Sequence, residues 1–581
     1  MGSDRMRAWQ EIGAALLLGL AAFLLVVGPA PLDPTDIAWL SGSDAATNFL
    51  GWAFFRASPW GWPPAANPDY GMDIAGSVMM VDANPLLALP FKLLSPLLPE
   101  PFQYFGWWLL ACFLLQALFA RAIAARISAH GEQRLAITLL FLFTPCFLIR
   151  IATPAIFHNT LCGQWQILAA LWLYLSPRLG RRGICWAALL VLAVLTHPYL
   201  LAMVAALWLA DLLRELLAGE RALGAILRSA VLAAVAAVVT ARLSGVFWLQ
   251  RPASSAGEAG SGVSSYGEWG FGFFKSNLLS PFDSQGWSWL LPDLPSHPGE
   301  IEGFCYVGLG ILLLAAVAPF LMRRALPGRP IGPEHLPLFL VLVGFALFAL
   351  TPNVGVGGDV FDLPWPGPLV GFGNLFRSSG RFAWPLVYWA MVAVCWIAVS
   401  RSRRAPASAL LIAAALVQVM DTSAGWHSYR RTFARHGSSW PTQLVSPFWE
   451  QAGRRYRAVR LIAPRNHLPA YRDLAAWALA HRMKTDIVYL ARLDTAAFDR
   501  LKRIRAAELH DGRLARDTLW IGEGVSPAAL AQMPRGNGDL LARIDGLTVY
   551  APGFRSGQAS IASAAGWLEQ SSSKLCSTSV T

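Results

Sequence analysis

At 581 residues, 55% apolar and only 14% charged, the chain is long enough for several domains and too apolar for a soluble enzyme over most of its length. Lys and Arg exceed Asp and Glu by 12, and the excess falls mainly after Gly425, where 22 basic residues stand against 12 acidic ones. Nothing there interleaves aromatics with cations as nucleic-acid modules do, so nucleic acid is not an expected partner.

The first apolar run, 12–29, follows Arg5 and Arg7 and reads as an uncleaved first span, since no small-x-small cleavage site follows it. Further runs of roughly 15 to 22 residues, each able to cross about 30 Å of hydrocarbon, lie at 105–125, 135–151, 161–175, 184–196, 199–213, 230–246, 306–322, 336–350, 382–400 and 408–420. Thr196-His197-Pro198 interrupts the fifth and sixth, because proline disfavours helix for the residue before it. Arginines cluster in every second gap: Arg121/Arg126/Arg134, Arg178/Arg181/Arg182, Arg214/Arg221/Arg228, Arg323/Arg324/Arg329 and Arg401/Arg403/Arg404. Basic loops stay in the cytoplasm, so the alternation predicts an inside N-terminus and an outside tail.

The expected outer segments are 31–103, 152–160, 249–304 and 351–381. The first holds an amphipathic stretch, 44–55, then a Pro- and Trp-rich elbow, then 84–98, apolar but broken by Pro85, Pro90 and Pro96 like an interfacial segment. After about Ser438 short strand-like runs (457–463, 485–491, 518–522, 547–551) alternate with helix signals at 468–483, at 494–508 with Asp494 as its cap, and at 528–533 opened by Ser526-Pro527. The expected organisation is a mostly α polytopic membrane helix bundle of about eleven spans (1–425), a small basic α/β extracytoplasmic domain with a parallel sheet (426–555) and a disordered Ser-rich end (556–581). The seven scattered cysteines form no CxxC and suggest neither a metal site nor a disulfide framework.

Asp44, in Ser41-Gly42-Ser43-Asp44, reads either as a general base at the membrane surface or as a helix N-cap. Asp82, before Ala83-Asn84-Pro85, is a second acid or cation contact, or an Asx-turn residue. Arg377 and Arg381 flank Ser378-Ser379-Gly380 on a face where arginines are scarce; they would grip a phosphate or anchor the interface. His158 and His197 fall at outer helix ends; His158 reads as a second acid or acceptor contact and His197 as a sugar or lipid contact, or both as structural hydrogen bonders. Trp60, Lys275 and Trp287 sit in aromatic outer loops suited to sugar or lipid contact, though such aromatics also mark interfaces. Gly260-Ser261-Gly262 is a lone GxG without a preceding strand, and no Walker, GxSxG or HExxH motif occurs.

This layout resembles the GT-C superfamily of integral-membrane glycosyltransferases, which have many spans, an essential acid soon after the first span and often a soluble C-terminal domain. More narrowly, Gly42-Ser43-Asp44, Gly51-Trp52-Ala53-Phe54-Phe55-Arg56-Ala57-Ser58-Pro59-Trp60, Asp82-Ala83-Asn84-Pro85-Leu86 and Phe102-Gln103-Tyr104-Phe105-Gly106 look like a family of bacterial multi-pass proteins of unassigned activity placed near that superfamily. The likeness covers roughly residues 1–425. It implies a catalytic Asp44 and a polyprenyl-phosphate-linked sugar donor. The sugar would pass to a glycan, lipid or protein acceptor of the cell envelope, at the periplasmic face of a bacterial inner membrane. The paired-acid motif usual in that superfamily is absent at Asp44, which leaves a divalent cation open as cofactor. Two other classes stay open: a transporter or flippase of lipid-linked glycan, and a non-catalytic envelope-assembly scaffold.

Overall fold

The computed structural model describes all residues except Met1, Ala75, 152–156, Arg178, Gly180, Glu220, 247–270, 324–332, His467, 491–494 and 558–581. The expectations for Gly260-Ser261-Gly262, for Asp494 as a helix cap and for a disordered end beyond residue 557 fall outside the described residues. Helix occupies each of the eleven apolar runs. Among the described residues, five helices are long and apolar enough to cross a membrane: Trp9–Val26, Phe105–Ile127, Leu223–Leu243, Ser379–Ser400 and Arg404–Trp426. Leu223–Leu243 turns Leu227, Val231, Leu232, Val235, Val238 and Val239 outward, each more than half exposed. So apolar a surface is costly in water and neutral in lipid, which is compatible with a membrane protein.

The described residues fall into two compact units. The first is drawn from Met1–Trp39, Gln103–Ala241 and Gly260–His436, the second from Leu40–Phe102, Arg242–Ala259 and Gly437–Thr581. The first expected outer segment is therefore divided: most of it belongs with the C-terminal residues.

In the first unit the arginine clusters converge. Glu11 accepts from Arg121 Nε at 2.5 Å and from Arg134 Nη1 at 3.1 Å, while Arg404 pairs with Glu132 at 2.9 Å. Asp211 is shared by Arg182 and Arg214 and accepts from Trp186 Nε1 at 2.8 Å. The helix that leaves Arg182 ends at Thr196, and Pro198–Ala218 starts immediately beyond His197, so the chain breaks where Pro198 predicts it. Thr351–Arg381 contributes a small antiparallel hairpin, β1 (Asn353–Val356) and β2 (Asp359–Asp362), where Asn353 donates to Asp362.

The second unit is built on a five-stranded sheet of β3 (Ala458–Leu461), β4 (Lys484–Thr485), β5 (Thr518–Ile521), β6 (Leu540–Ile544) and β7 (Leu547–Ala551), in the order β4-β3-β5-β7-β6. The three first strands pair in parallel, whereas β7 runs antiparallel to both β5 and β6. The sheet is therefore mixed, not the purely parallel one expected. Trp520 anchors one face among Ile462, Leu514, Leu530, Met533 and Tyr550. The 40–102 segment extends the β4 edge: Gly71 N–H donates to Thr485 O at 2.9 Å and Thr485 N–H to Asp69 O at 3.0 Å. Arg460 clasps Asp73 and Asp486 together, and Tyr471 Oη meets Thr47 Oγ1 at 2.7 Å.

Candidate functional site

The first unit contains a mostly buried charge cluster made from three distant stretches of chain. Two glycines let these stretches cross. A Cβ on Gly303 would stand 2.2 Å from Lys275 O, and one on Gly380 would stand 2.5 Å from Gly303 Cα. No other residue fits there, and the neighbours Glu302 and Arg381 are thereby brought into contact.

Glu302 Oε2 accepts from Arg150 Nη1 at 2.7 Å, Arg381 Nη2 at 2.8 Å and Arg381 Nε at 3.1 Å, and Arg150 Nη2 donates to the Glu302 carbonyl at 2.8 Å. Both guanidiniums lie against aromatic faces, Arg150 at 5.3 Å from the Trp384 ring and Arg381 at 4.9 Å from Tyr199. His158 is held beside them, its N–H donating to Arg150 O at 3.2 Å and its Nδ1 lying 3.2 Å from Arg150 Nη1.

Burial, opposed by the Glu302 carboxylate and reinforced by Arg381, Arg150 and Arg377, pushes the His158 pKa down to about 3. The imidazole is thus neutral near pH 7. Its Nδ1 lies 3.2 Å from Arg150 Nη1, and its Nε2 lies 3.5 Å from Arg381 Nη2 and 3.7 Å from Glu302 Oε1, so the neutral ring meets a guanidinium at either nitrogen. Burial alone would raise the Glu302 pKa, but Arg381 and then the other cations outweigh it and hold the carboxyl well below the usual range. With His158 uncharged, the two arginines carry that effect. A carboxylate so firmly ionised is a poor base; Glu302 orients Arg150 and Arg381.

Two guanidiniums against one carboxylate leave the cluster one net positive charge. Arg377 adds a second. It is half-buried over the Phe274 ring at 5.0 Å, it acts on His158 electrostatically, and among the described residues no carboxylate pairs with it. Asp359 and Asp362 take no part, so neither neutralises the arginines. Beside His158, Asn159 is fully buried with both carboxamide atoms unpartnered, as is the Ser379 hydroxyl. Polar groups left this way cost about 1–3 kcal/mol each and commonly mark functional positions.

His197 caps the Pro198–Ala218 helix by accepting from Tyr199 N–H at 3.1 Å, and Tyr199 Oη accepts from Ser378 N–H at 2.8 Å. It therefore supports the aromatic floor under Arg381. Lys275 is buried 3.8 Å from Glu300, which also accepts from Asn277 at 2.9 Å, so its ammonium is engaged in a structural pair. Trp287 is a core residue packed on Phe304, Tyr429 and Gly425, with no face turned outward. Both differ from the sugar-contacting reading because their loop folds inward around Glu300.

The second unit holds the two acids of the 40–102 segment. Gly42, not Asp44, is the N-cap of the Ser43–Ala57 helix, and Asp44 lies half-buried in its first turn. Asn48, one turn on, sets its carboxamide against the carbonyls of Asp44 at 2.9 Å and Val81 at 3.2 Å, and with the amide nitrogen assigned to that side it donates to both and ties the helix to the Asp82 turn. Asp82 and Asn84 both adopt left-handed conformations, φ +53° and +55°, and the Asn84 side chain is fully buried without a partner. Non-glycine strain of this kind, about 1–3 kcal/mol per residue, tends to gather at functional sites. Trp60, about half exposed, lies at the edge of this unit. No group of three or more metal-ligating side chains occurs among the described residues.

Glu302 and Arg150 are the participants that sequence reasoning missed. Arg150 had a signal: it is the lone charge in the apolar run 135–151, and charges in such runs are usually functional. Glu302 had none, since its partners are far away in sequence.

The chain belongs to the family described as Domain of unknown function (DUF6311), which it matches over residues 16–423; residues 448–552 match the DUF6311 C-terminal domain. No curated protein matches the chain.

Proposed function

We propose that the protein is a bacterial inner-membrane glycosyltransferase of the GT-C kind, with about eleven spans, an inside N-terminus and a periplasmic second unit. It would move a sugar from a polyprenyl-phosphate donor to a cell-envelope glycan, lipid or protein. The observation that carries this reading is the net-positive cluster of Arg150, Arg381 and the carboxylate-free Arg377, laid on aromatic rings. Such a cluster suits a phosphate whose other end is apolar: forked guanidiniums hold the oxygens, and rings accept the first lipid carbons. When the sugar's anomeric carbon takes the acceptor oxygen, the bond to the phosphate oxygen breaks and its electron pair leaves with the phosphate. Guanidinium charge stabilises that leaving group. The resemblance gives Asp44 the part of general base, removing the acceptor's hydroxyl proton.

The test incubates purified protein with a panel of radiolabelled polyprenyl-phosphate sugars and follows sugar release or transfer. Turnover is expected for the wild type and lost in correctly folded Asp44→Asn. Arg377→Gln is expected to raise the donor KM at least tenfold, equivalent to about 1.4 kcal/mol of lost phosphate binding. Turnover untouched by either substitution would reject the assignment.

A further inference from the structure

The second unit carries an apolar surface that its own core does not use. In the elbow Ser58-Pro59-Trp60-Gly61-Trp62-Pro63, Trp60 is 48% and Trp62 70% exposed. The Pro85–Leu93 helix and the Ser95–Leu97 turn add Leu93 at 70%, Leu94 at 46% and Leu97 at 82%. The two pieces meet at Lys92, whose ammonium lies 4.0 Å from the Phe55 ring and 4.7 Å from Trp60. Lys92 is the one ionisable side chain in 58–65 and 85–98 together, and it is sheathed and buried. Arg56 clamps the turn from behind, donating to the carbonyls of Ser95, Leu98 and Pro99 at 3.3, 3.0 and 2.8 Å. The chain thus devotes a guanidinium and an ammonium to holding leucines and tryptophans outward in a fixed shape.

We infer that this surface docks in the headgroup region of a lipid leaflet. Its chemistry fits that occupant. Tryptophans favour the boundary between hydrocarbon and water, exposed leucines gain from acyl chains, and the lack of outward charge avoids a desolvation cost. A protein partner would more commonly meet a rim of charged or hydrogen-bonding groups around such a patch. In sequence, the same segment runs on within eight residues of Leu97 into Phe105–Ile127, a helix apolar enough to cross a membrane. The inference rests on the chain lying in a membrane but not on its catalysing sugar transfer.

The experiment places photoreactive benzoylphenylalanine at Leu97 in the full chain, reconstituted in bilayers of radiolabelled phospholipid. Val239, outward on the Leu223–Leu243 helix, is the membrane control, and exposed Arg513 is the aqueous one. Irradiation is expected to attach labelled lipid at Leu97 and Val239, with at least tenfold less at Arg513. Lipid at Val239 but none at Leu97 would overturn the inference, as would a Leu97 adduct to a second polypeptide. No lipid at Val239 would remove the membrane reading itself and the docking with it.

Discussion

Replacing Glu302 by Gln keeps the shape of the arginine cluster but takes away the carboxylate that Arg150 and Arg381 share. In the wild type that group accepts three guanidinium hydrogen bonds, and the side chains of Arg150, Arg381 and Glu302 are 0%, 7% and 12% accessible. Removing one partner from a buried ion pair costs about 3–5 kcal/mol, because the remaining charges stay desolvated and now repel. At about 2–4 °C per kcal/mol for a unit of this scale, the apparent Tm of detergent-purified protein should fall by roughly 6–20 °C. The net charge of the cluster rises by one, so an anion should now stabilise the variant more than the wild type. Inorganic phosphate at ten times its Kd would return about 1.4 kcal/mol. The double variant Glu302→Gln/Arg381→Gln removes the excess charge and should be more stable than Glu302→Gln alone, a non-additivity readable in a double-mutant cycle. An unchanged Tm in Glu302→Gln, or phosphate that shifts both proteins equally, would refute the reasoning that this carboxylate holds the place of an anion.

Acid should weaken the first unit in a defined window. His158 has a folded pKa of about 3 against 6.5 for an unperturbed imidazole, so between these pH values the unfolded chain binds more protons and stability rises with pH. That contribution is complete above pH 6.5 and disappears on acidification, with an upper bound on the order of 5 kcal/mol. Glu302, held by its arginines well below the usual carboxylate range, adds a loss of the same sign at lower pH. His158→Gln should flatten the Tm-against-pH curve between pH 4 and 6.5, and an unchanged slope would contradict a neutral buried imidazole. Gly106→Ala would place a Cβ 1.7 Å from Pro31 O, a carbonyl already fixed by Gln103 Nε2 at 2.8 Å, and should lower stability by about 1–3 kcal/mol or more in thermal melts. Arg460→Met should release the Asp73 side of the β4 edge, and hydrogen exchange at the Gly71 amide should accelerate by at least tenfold.

Local signals in the sequence were read well. Apolar runs bounded by arginines give helices, and Pro198 gives the break at His197, because each depends on residues within a few turns. Ser526-Pro527 gives a capped helix, with Ser526 Oγ accepting from Ala529 N–H at 3.2 Å. A strand was missed at Leu540–Ile544 although Asp545-Gly546 follows it. Both residues have positive φ, +47° and +81°, and Asp-Gly is a strong two-residue hairpin signal. The purely parallel sheet failed for the same reason, since β6 and β7 form that hairpin. Pairings across hundreds of residues could not be read at all. Arg377 and Arg381 were picked out by their type and scarcity, but nothing local points Arg381 to Glu302, and of the aspartates nearest in sequence Asp362 binds Asn353 instead. Lys275 and Trp287 misled because an aromatic outer loop and an inward-folded loop share one composition.

The interleaving of the second unit has a consequence for how the protein is made. Its sheet edge needs residues 69–71, but the strand they join is synthesised roughly 400 residues later, after most of the first unit. At about 5–20 residues per second the early segment waits on the order of 20 s to more than a minute. Throughout that interval Asp73 has no Arg460, Thr47 has no Tyr471, and the turn at Asp82 lacks the rest of its fold. The order of synthesis therefore makes completion of the C-terminus the last gate in maturation. A chain that stalls short of β4 would keep its membrane helices yet present an unfinished loop to proteases and chaperones.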